Sequence, residues 1–394
     1  MSFFRKIFKN VIHEKDPKDD TVKVKGKEKP KYYGTVTPYP NFSASSDAAV
    51  LRDAIKSKGV DEDVIISVLV KRSNEQRQKI KAVYEASNGE KLDQALKKAL
   101  RSDLEDASLA LLMPPAHFDA YLLRKATKGL GTDEHVLVEV LATRTNQEIQ
   151  DIKRAFKEEY KKELEDVIRN ETSGDFTNAL LAMLKANKDE STEVNMELAQ
   201  RDAETLFEAG KNTKNINVST FIDILTTRNG KQLSKSECLK CVAHLPINTC
   251  CYTCSSSVYL AFQNYACVSD VTLPKALDMK LKGDIEDCLI DIVKCAWNTP
   301  AFFAEKLHLA MKGLGTREAT LTRVLVSRSE VDLKKIVEEY RAMYNISLQE
   351  SIQVKSREVF KCYCLDAFMF CFSTHPGDTK GHYQAILLGL CGPQ

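Results

Sequence analysis

Long apolar runs are missing from this chain of 394 residues. None reaches the roughly 18–20 apolar residues that a membrane-crossing helix needs, and the longest, Val359 to Phe372, contains Lys361 and Asp366. The N-terminal MSFFRKIFKNVIHEK is interrupted by Arg5, Lys6 and Lys9 and has no secretory apolar core. The expectation is a cytoplasmic protein whose membrane contact is peripheral. Charge of one sign is also scarce. The formal net charge is +2, divided as +5 over residues 1–40 and −3 over the rest. A near-neutral body argues against nucleic-acid binding and suits a surface that becomes positive only when it takes up a cation. Catalytic motifs are absent as well. The seven His and twelve Cys sit in no nucleophile elbow or dyad pattern, so no enzyme activity is expected.

What the chain does have is repetition. DAAVLRDAIKSKGVDED from Asp47, FDAYLLRKATKGLGTDE from Phe118, DAETLFEAGKNTKNINV from Asp202 and FFAEKLHLAMKGLGTRE from Phe302 share one pattern, an amphipathic helix running into a Gly- or Asn-containing loop. Arg72, Arg144 and Arg328 each precede an Ile by eight residues (Ile80, Ile152, Ile336), and an aromatic follows four later (Tyr84, Phe156, Tyr340). The i,i+4 spacing puts each Ile and its aromatic on one helical face, read as core packing. Proline is nearly absent from these segments. The units run about 70 residues with room for four or five short helices, so an all-α architecture follows. The polar stretch Lys185 to Val194 reads as a linker between two halves.

The loops carry the chemistry. In Lys128-Gly129-Leu130-Gly131-Thr132 and Lys312-Gly313-Leu314-Gly315-Thr316, two glycines two apart let backbone carbonyls turn inward at positive φ. Carbonyl oxygens are hard ligands of the kind Ca²⁺ takes in sets of about six to eight. Glu171, thirty-nine residues after Thr132, could fold back with a bidentate carboxylate. A phosphate loop would need G-x-x-x-x-G-K-[ST] after a strand, and neither is present. A glycine helix cap is the bland alternative for one such loop.

K-G-x-G-T followed about 38–40 residues later by an acidic residue, in four units of about 70, resembles the annexin core, and SNEQRQKIKAVYEA and TSGDFTNALLAML resemble its lipocortin type. The resemblance implies four repeats of about five helices forming a curved disc behind an N-terminal tail. The tail would be 1–41 and the repeats 42–113, 114–185, 197–298 and 299–394. It also implies several Ca²⁺ ions bridging the protein to anionic phospholipid membranes, and phospholipase A2 inhibition. Carried over by position, the ligand set in repeat two is Thr127, Gly129, Gly131, Thr132 and Glu171. In repeat one it is Gly59, Val60 and Glu62, with a minor site at Lys97, Leu100 and Glu105. Repeat three offers Gly210, Thr213, Asn215 and Asp278, with Lys280 as an unwelcome cation. Repeat four offers Met311, Gly313, Gly315 and Thr316, with the displaced Asp378 as carboxylate.

Two Cys-rich insertions depart from the family, at about 234–258 and 354–376. They hold eight of the twelve Cys. Three readings stand open: a loosely folded excursion from an alternative transcript or misjudged exon boundary; a zinc site at Cys238, Cys241, Cys251 and Cys254; or a redox-active loop. Repeats three and four are expected to be destabilised by them. In the tail, Phe3, Phe4, Ile7, Phe8 and Val11 form a helical apolar stripe on a charged linker, Pro17 to Pro40, that reads as flexible. The resemblance implies an S100-type dimer as partner of that stripe, and a scaffold role built on it is the alternative function.

Overall fold

The computed structural model describes residues 32–129, 131–211, 216–230, 269, 271–313, 315–361 and 379–393, with backbone only for 356–361 and 379–380. Among the described residues there are eighteen helices and no strand. Repeat one contributes α1 (Ala44–Lys56), α2 (Glu62–Val70), α3 (Asn74–Asn88), α4 (Leu92–Ala99) and α5 (Ser102–Leu112). Repeat two contributes α6 (Pro115–Ala126), α7 (Glu134–Thr143), α8 (Asn146–Tyr160), α9 (Leu164–Glu171) and α10 (Gly174–Leu184). Five helices per repeat is thus met in both. Repeat three shows α11 (Met196–Lys211), α12 (Val218–Thr227) and α13 (Leu273–Lys280). The span α14 (Asp284–Met311), two helices joined at a kink, enters repeat four, followed by α15 (Glu318–Arg328), α16 (Leu333–Tyr344), α17 (Leu348–Lys361) and α18 (Thr379–Cys391). Within α14, Asn298 leaves helical geometry (φ −152°, ψ 91°), and its side chain accepts the Ala301 amide at 3.0 Å. Asn298 therefore caps a new helix whose first turn tolerates Pro300.

The same local rules recur in each repeat. Ser73 with Gln76, and Thr145 with Glu148, form reciprocal capping boxes that start α3 and α8. The Ile–aromatic stripe lies in the core as expected: Ile80, Tyr84, Ile152, Phe156, Ile336 and Tyr340 are all at most 1% exposed. Each such burial contributes about 1.5–3 kcal/mol.

A feature the sequence reading passed over joins the first helix of a repeat to the end of its second. Arg72 donates to Asp47 at 2.6 and 2.8 Å, Arg144 to Asp119 at the same distances, and Arg228 to Asp202 at 2.7 and 3.0 Å. Arg228 thus makes the same pair, one residue further from its Asp than in repeats one and two, and the residues eight and twelve beyond it lie outside the described residues. In repeat four the Asp position is taken by Phe303. Arg328 turns instead to Asp332 at 2.7 and 2.8 Å and lies 4.7 Å over the Phe303 ring.

The described residues form two compact units. One combines residues up to Pro115 with Phe303–Gln394, and the other runs from Ala116 to Phe302. This corrects the expected division, because the pairing joins repeat one with four and two with three. The Lys185 to Val194 stretch runs inside the second unit, where Asn146 exchanges hydrogen bonds with Lys188 and Asn229 donates to Asp189 at 2.6 Å.

The last part of the tail linker is also tied down. The Thr35 and Val36 amides donate to the Ser329 carbonyl at 2.7 and 3.0 Å, the Thr35 hydroxyl donates to the Leu390 carbonyl at 2.6 Å, and Tyr39 exchanges two bonds with Gln76. A polar, Pro-bounded sequence looks loose, but here its backbone groups find partners in repeats one and four of the same unit. Gly34 fits because any Cβ there would meet the Tyr32 ring and the Glu330 backbone. The tail stripe and both insertions, apart from 354–361, lie outside the described residues, as do Thr213, Asn215 and Asp378.

Candidate calcium loops

Each repeat turns from its first to its second helix through one backbone clasp. Asp61, Asp133 and Arg317 donate their amides to Ala54, Ala126 and Ala310 at 2.8–3.0 Å, closing loops of equal length. Repeat three closes from Asn217 to Ala209 at 3.1 Å, one residue longer. The side chains of Asp61, Asp133 and Asn217 then cap the second helix, which Arg317 cannot do.

In repeat two the loop fits a hard cation. Gly129 and Gly131 have φ of 124° and 87°, and a Cβ at either would meet nothing within 4 Å. Backbone conformation rather than space is what demands glycine there. Among the described residues no hydrogen bond reaches the carbonyl of Gly129 or Gly131. The Thr127 side chain turns inward onto the Leu123 carbonyl at 2.9 Å, and the Thr132 hydroxyl donates to Glu134. Glu171 ends α9 and lines a cavity of about 400 Å³ together with Arg124, three residues before Thr127. No three His, Cys, Asp or Glu side chains cluster as a metal site among the described residues. A metal here would rest on carbonyls with Glu171 as the charged ligand.

The position of Glu171 can be followed through the repeats. The helices α4, α9, α13 and α17 all open on a buried leucine: Leu92, Leu164, Leu273 and Leu348. The residue seven further on is Ala99, Glu171, Lys280 and Lys355. Its reach is visible in two cases. Lys355 Nζ donates to the Gly313 carbonyl at 2.6 Å, and Lys280 Nζ donates to the Gly210 carbonyl. This helix position therefore faces the loop. The sequence reading missed Lys355, although the count that selects Glu171, thirty-nine residues past the loop Thr, applied to Thr316 selects it directly. Asp278, proposed from sequence in repeat three, precedes the equivalent position by two and pairs with Lys275. Gly210 is buried inside α11, and its Cβ position lies 3.3 Å from Phe221. Met311 ends α14, 4% exposed, and Gly313 and Gly315 have φ of 88° and 81°. The backbone of the repeat-four loop thus matches repeat two, while the side chain facing it has the opposite charge.

Repeat one is less suited. Gly59 has the expected positive φ of 83°, but its carbonyl accepts the Ser57 hydroxyl, and Val60 precedes the capping Asp61 with Glu62 opening α2. At the minor site, Lys97 is exposed on α4 and Glu105 sits in the first turn of α5. The Leu100 carbonyl takes the Arg101 guanidinium at 2.7 Å.

The annexin family model matches residues 46–111, 118–183 and 302–361. Annexin A1 of Cavia cutleri is 45% identical over 394 residues, all of both chains, and human annexin A1 is 48% identical over 357 residues, 91% of this chain and 89% of its own. The chain is an annexin. Among solved structures, annexin III superimposes with a TM-score of 0.77 at 39% identity, over 92% of this chain and 98% of its own. A calcium-bound annexin (Sm)1 does so at 0.70 and 26%, over 92% and 93%. Membership makes this a calcium-dependent phospholipid-binding protein with the annexin repeat fold. No described helix is long and apolar enough to cross a membrane, in keeping with peripheral contact. The family match omits repeat three and stops at 361, within the stretch 354–376 expected from the sequence to be an insertion.

Proposed function

We propose that this annexin binds and bridges anionic phospholipid membranes chiefly through the repeat-two loop, and acts without catalysing a reaction. What supports the reading is that the carbonyls of Gly129 and Gly131, both at positive φ, accept no hydrogen bond among the described residues, and that Glu171 is the one acidic residue among Ala99, Glu171, Lys280 and Lys355 at the equivalent helix position. Bound calcium would supply the positive charge that protein carbonyls and lipid phosphate share. The glycines present carbonyls without rearrangement, and Glu171 sets the charge balance. Because protein and lipid would complete one ligand shell, membrane should raise calcium affinity and calcium should raise membrane affinity by the same factor. Covering a phospholipid surface is also how the chain would inhibit a phospholipase A2.

Co-sedimentation with phosphatidylserine liposomes across a calcium titration, reversed with EGTA, tests this reading. Glu171→Ala is expected to raise the calcium needed for half-maximal pelleting by about tenfold or more, since removing even an outer ligand-support group costs that much in metal sites. An unchanged calcium requirement in a folded Glu171→Ala chain would reject the repeat-two assignment.

A further inference from the structure

In two repeats the side chain facing the loop already carries a positive charge. We propose that Lys280 and Lys355 are resident cations that hold the Gly210 and Gly313 carbonyls of repeats three and four in place of calcium. The calcium response of the chain would then come from its first two repeats. This deepens the reading above and rests on it, because it takes the repeat-two loop as the calcium-binding form of the same device.

The argument begins with register. Lys280 and Lys355 stand seven residues after Leu273 and Leu348, the spacing that separates Glu171 from Leu164. Both ammonium groups reach across to a backbone carbonyl, that of Gly210 in the last turn of α11 in one unit and that of the loop residue Gly313 in the other. The two cases come from separate units and different loop lengths, and by the clasp alignment each lands on a carbonyl position of the repeat-two set, Gly210 at that of Thr127 and Gly313 at that of Gly129. A lysine ammonium offers three donors and no acceptor, so it satisfies a carbonyl as a metal ion would, with a charge that cannot diffuse away. It also repels a second cation at the same carbonyl. The repeat-four loop makes the case most sharply. Gly313 and Gly315, like Gly129 and Gly131, hold positive φ, so its backbone is suited to calcium while its counter-charge is inverted.

Two measurements on the full chain test this. The first is calcium stoichiometry by equilibrium dialysis on phosphatidylserine vesicles. Lys355→Glu and Lys280→Glu are each expected to add one bound ion per chain, and Glu171→Ala to remove one. If Glu171→Ala removes an ion while both folded Lys→Glu variants leave the number unchanged, the resident-cation inference fails and the calcium reading stands. If Glu171→Ala removes none, the calcium reading itself fails. The second measurement uses the unmodified chain and does not depend on how variants fold. Lysines are acetylated with and without calcium on the same vesicles and quantified by mass spectrometry. Labelling of Lys280 and Lys355 is expected to change less than twofold with calcium. A several-fold rise on adding calcium would mean that ions displace the ammonium groups, and would overturn the proposal.

Discussion

The Asp119–Arg144 pair offers a sharp test of how these repeats are held. Both side chains are nearly buried, 6% and 7% exposed, and they share two hydrogen bonds. Asp119→Ala would leave the guanidinium inside the repeat with the Thr143 hydroxyl at 2.8 Å and the charges of Glu148 and Glu139 as its remaining partners. Breaking a buried pair from one side costs about 3–5 kcal/mol, far more than the pair contributes net, because the stranded charge stays desolvated. Removing both charges with Asp119→Leu and Arg144→Met should therefore recover most of the loss. Asp202→Ala should cost less than Asp119→Ala, since Arg228 is 28% exposed and water can reach it. The assay is urea unfolding followed by Trp297, the only tryptophan and a member of the unit that contains both pairs. Circular dichroism tests whether one transition describes the unfolding. If Asp119→Ala costs under about 1 kcal/mol, or if the double variant is as unstable as the single, the buried-charge reasoning is wrong.

Two further outcomes follow from packing. Gly389 lies on α18 where a Cβ would come within 2.8 Å of a Val70 methyl on α2, so Gly389→Ala should destabilise the first unit by about 1–3 kcal/mol, measured by thermal unfolding. The Cys391 thiol is fully enclosed, and burial pushes its pKa up to about 12. A thiolate that scarce at pH 8 should leave Cys391 unalkylated by iodoacetamide in the native chain and alkylated after denaturation, read by peptide mass spectrometry.

The elements written in local pattern were legible without coordinates. The four helix–loop copies, the Ile–aromatic core stripe and the glycine pairs of GLGT each follow from spacing and backbone freedom within about a dozen residues. What escaped depends on distance or on sign. Asp47, Asp119 and Asp202 precede their arginines by twenty-five or twenty-six residues, and no periodicity of a single helix connects them. Lys355 was passed over because the search was for a carboxylate, and Asp378 was reached by counting across the insertion. The tail from Tyr32 to Tyr39 was read as loose because its partners, Ser329 and Leu390, lie some three hundred residues away.

The closure of the first unit by the two ends of the chain has a consequence for synthesis. Residues 116–302 are contiguous and can begin to consolidate while the ribosome is still working, as domains generally do. Repeat one emerges before this stretch, yet Val70 waits for Gly389 and Thr35 waits for Leu390, both on α18. The part of α2 that meets α18 stays unsatisfied until then. A nascent chain stopped between residue 302 and α18 would carry a finished middle and an unfinished first unit, the kind of product that holdase chaperones and proteases sort.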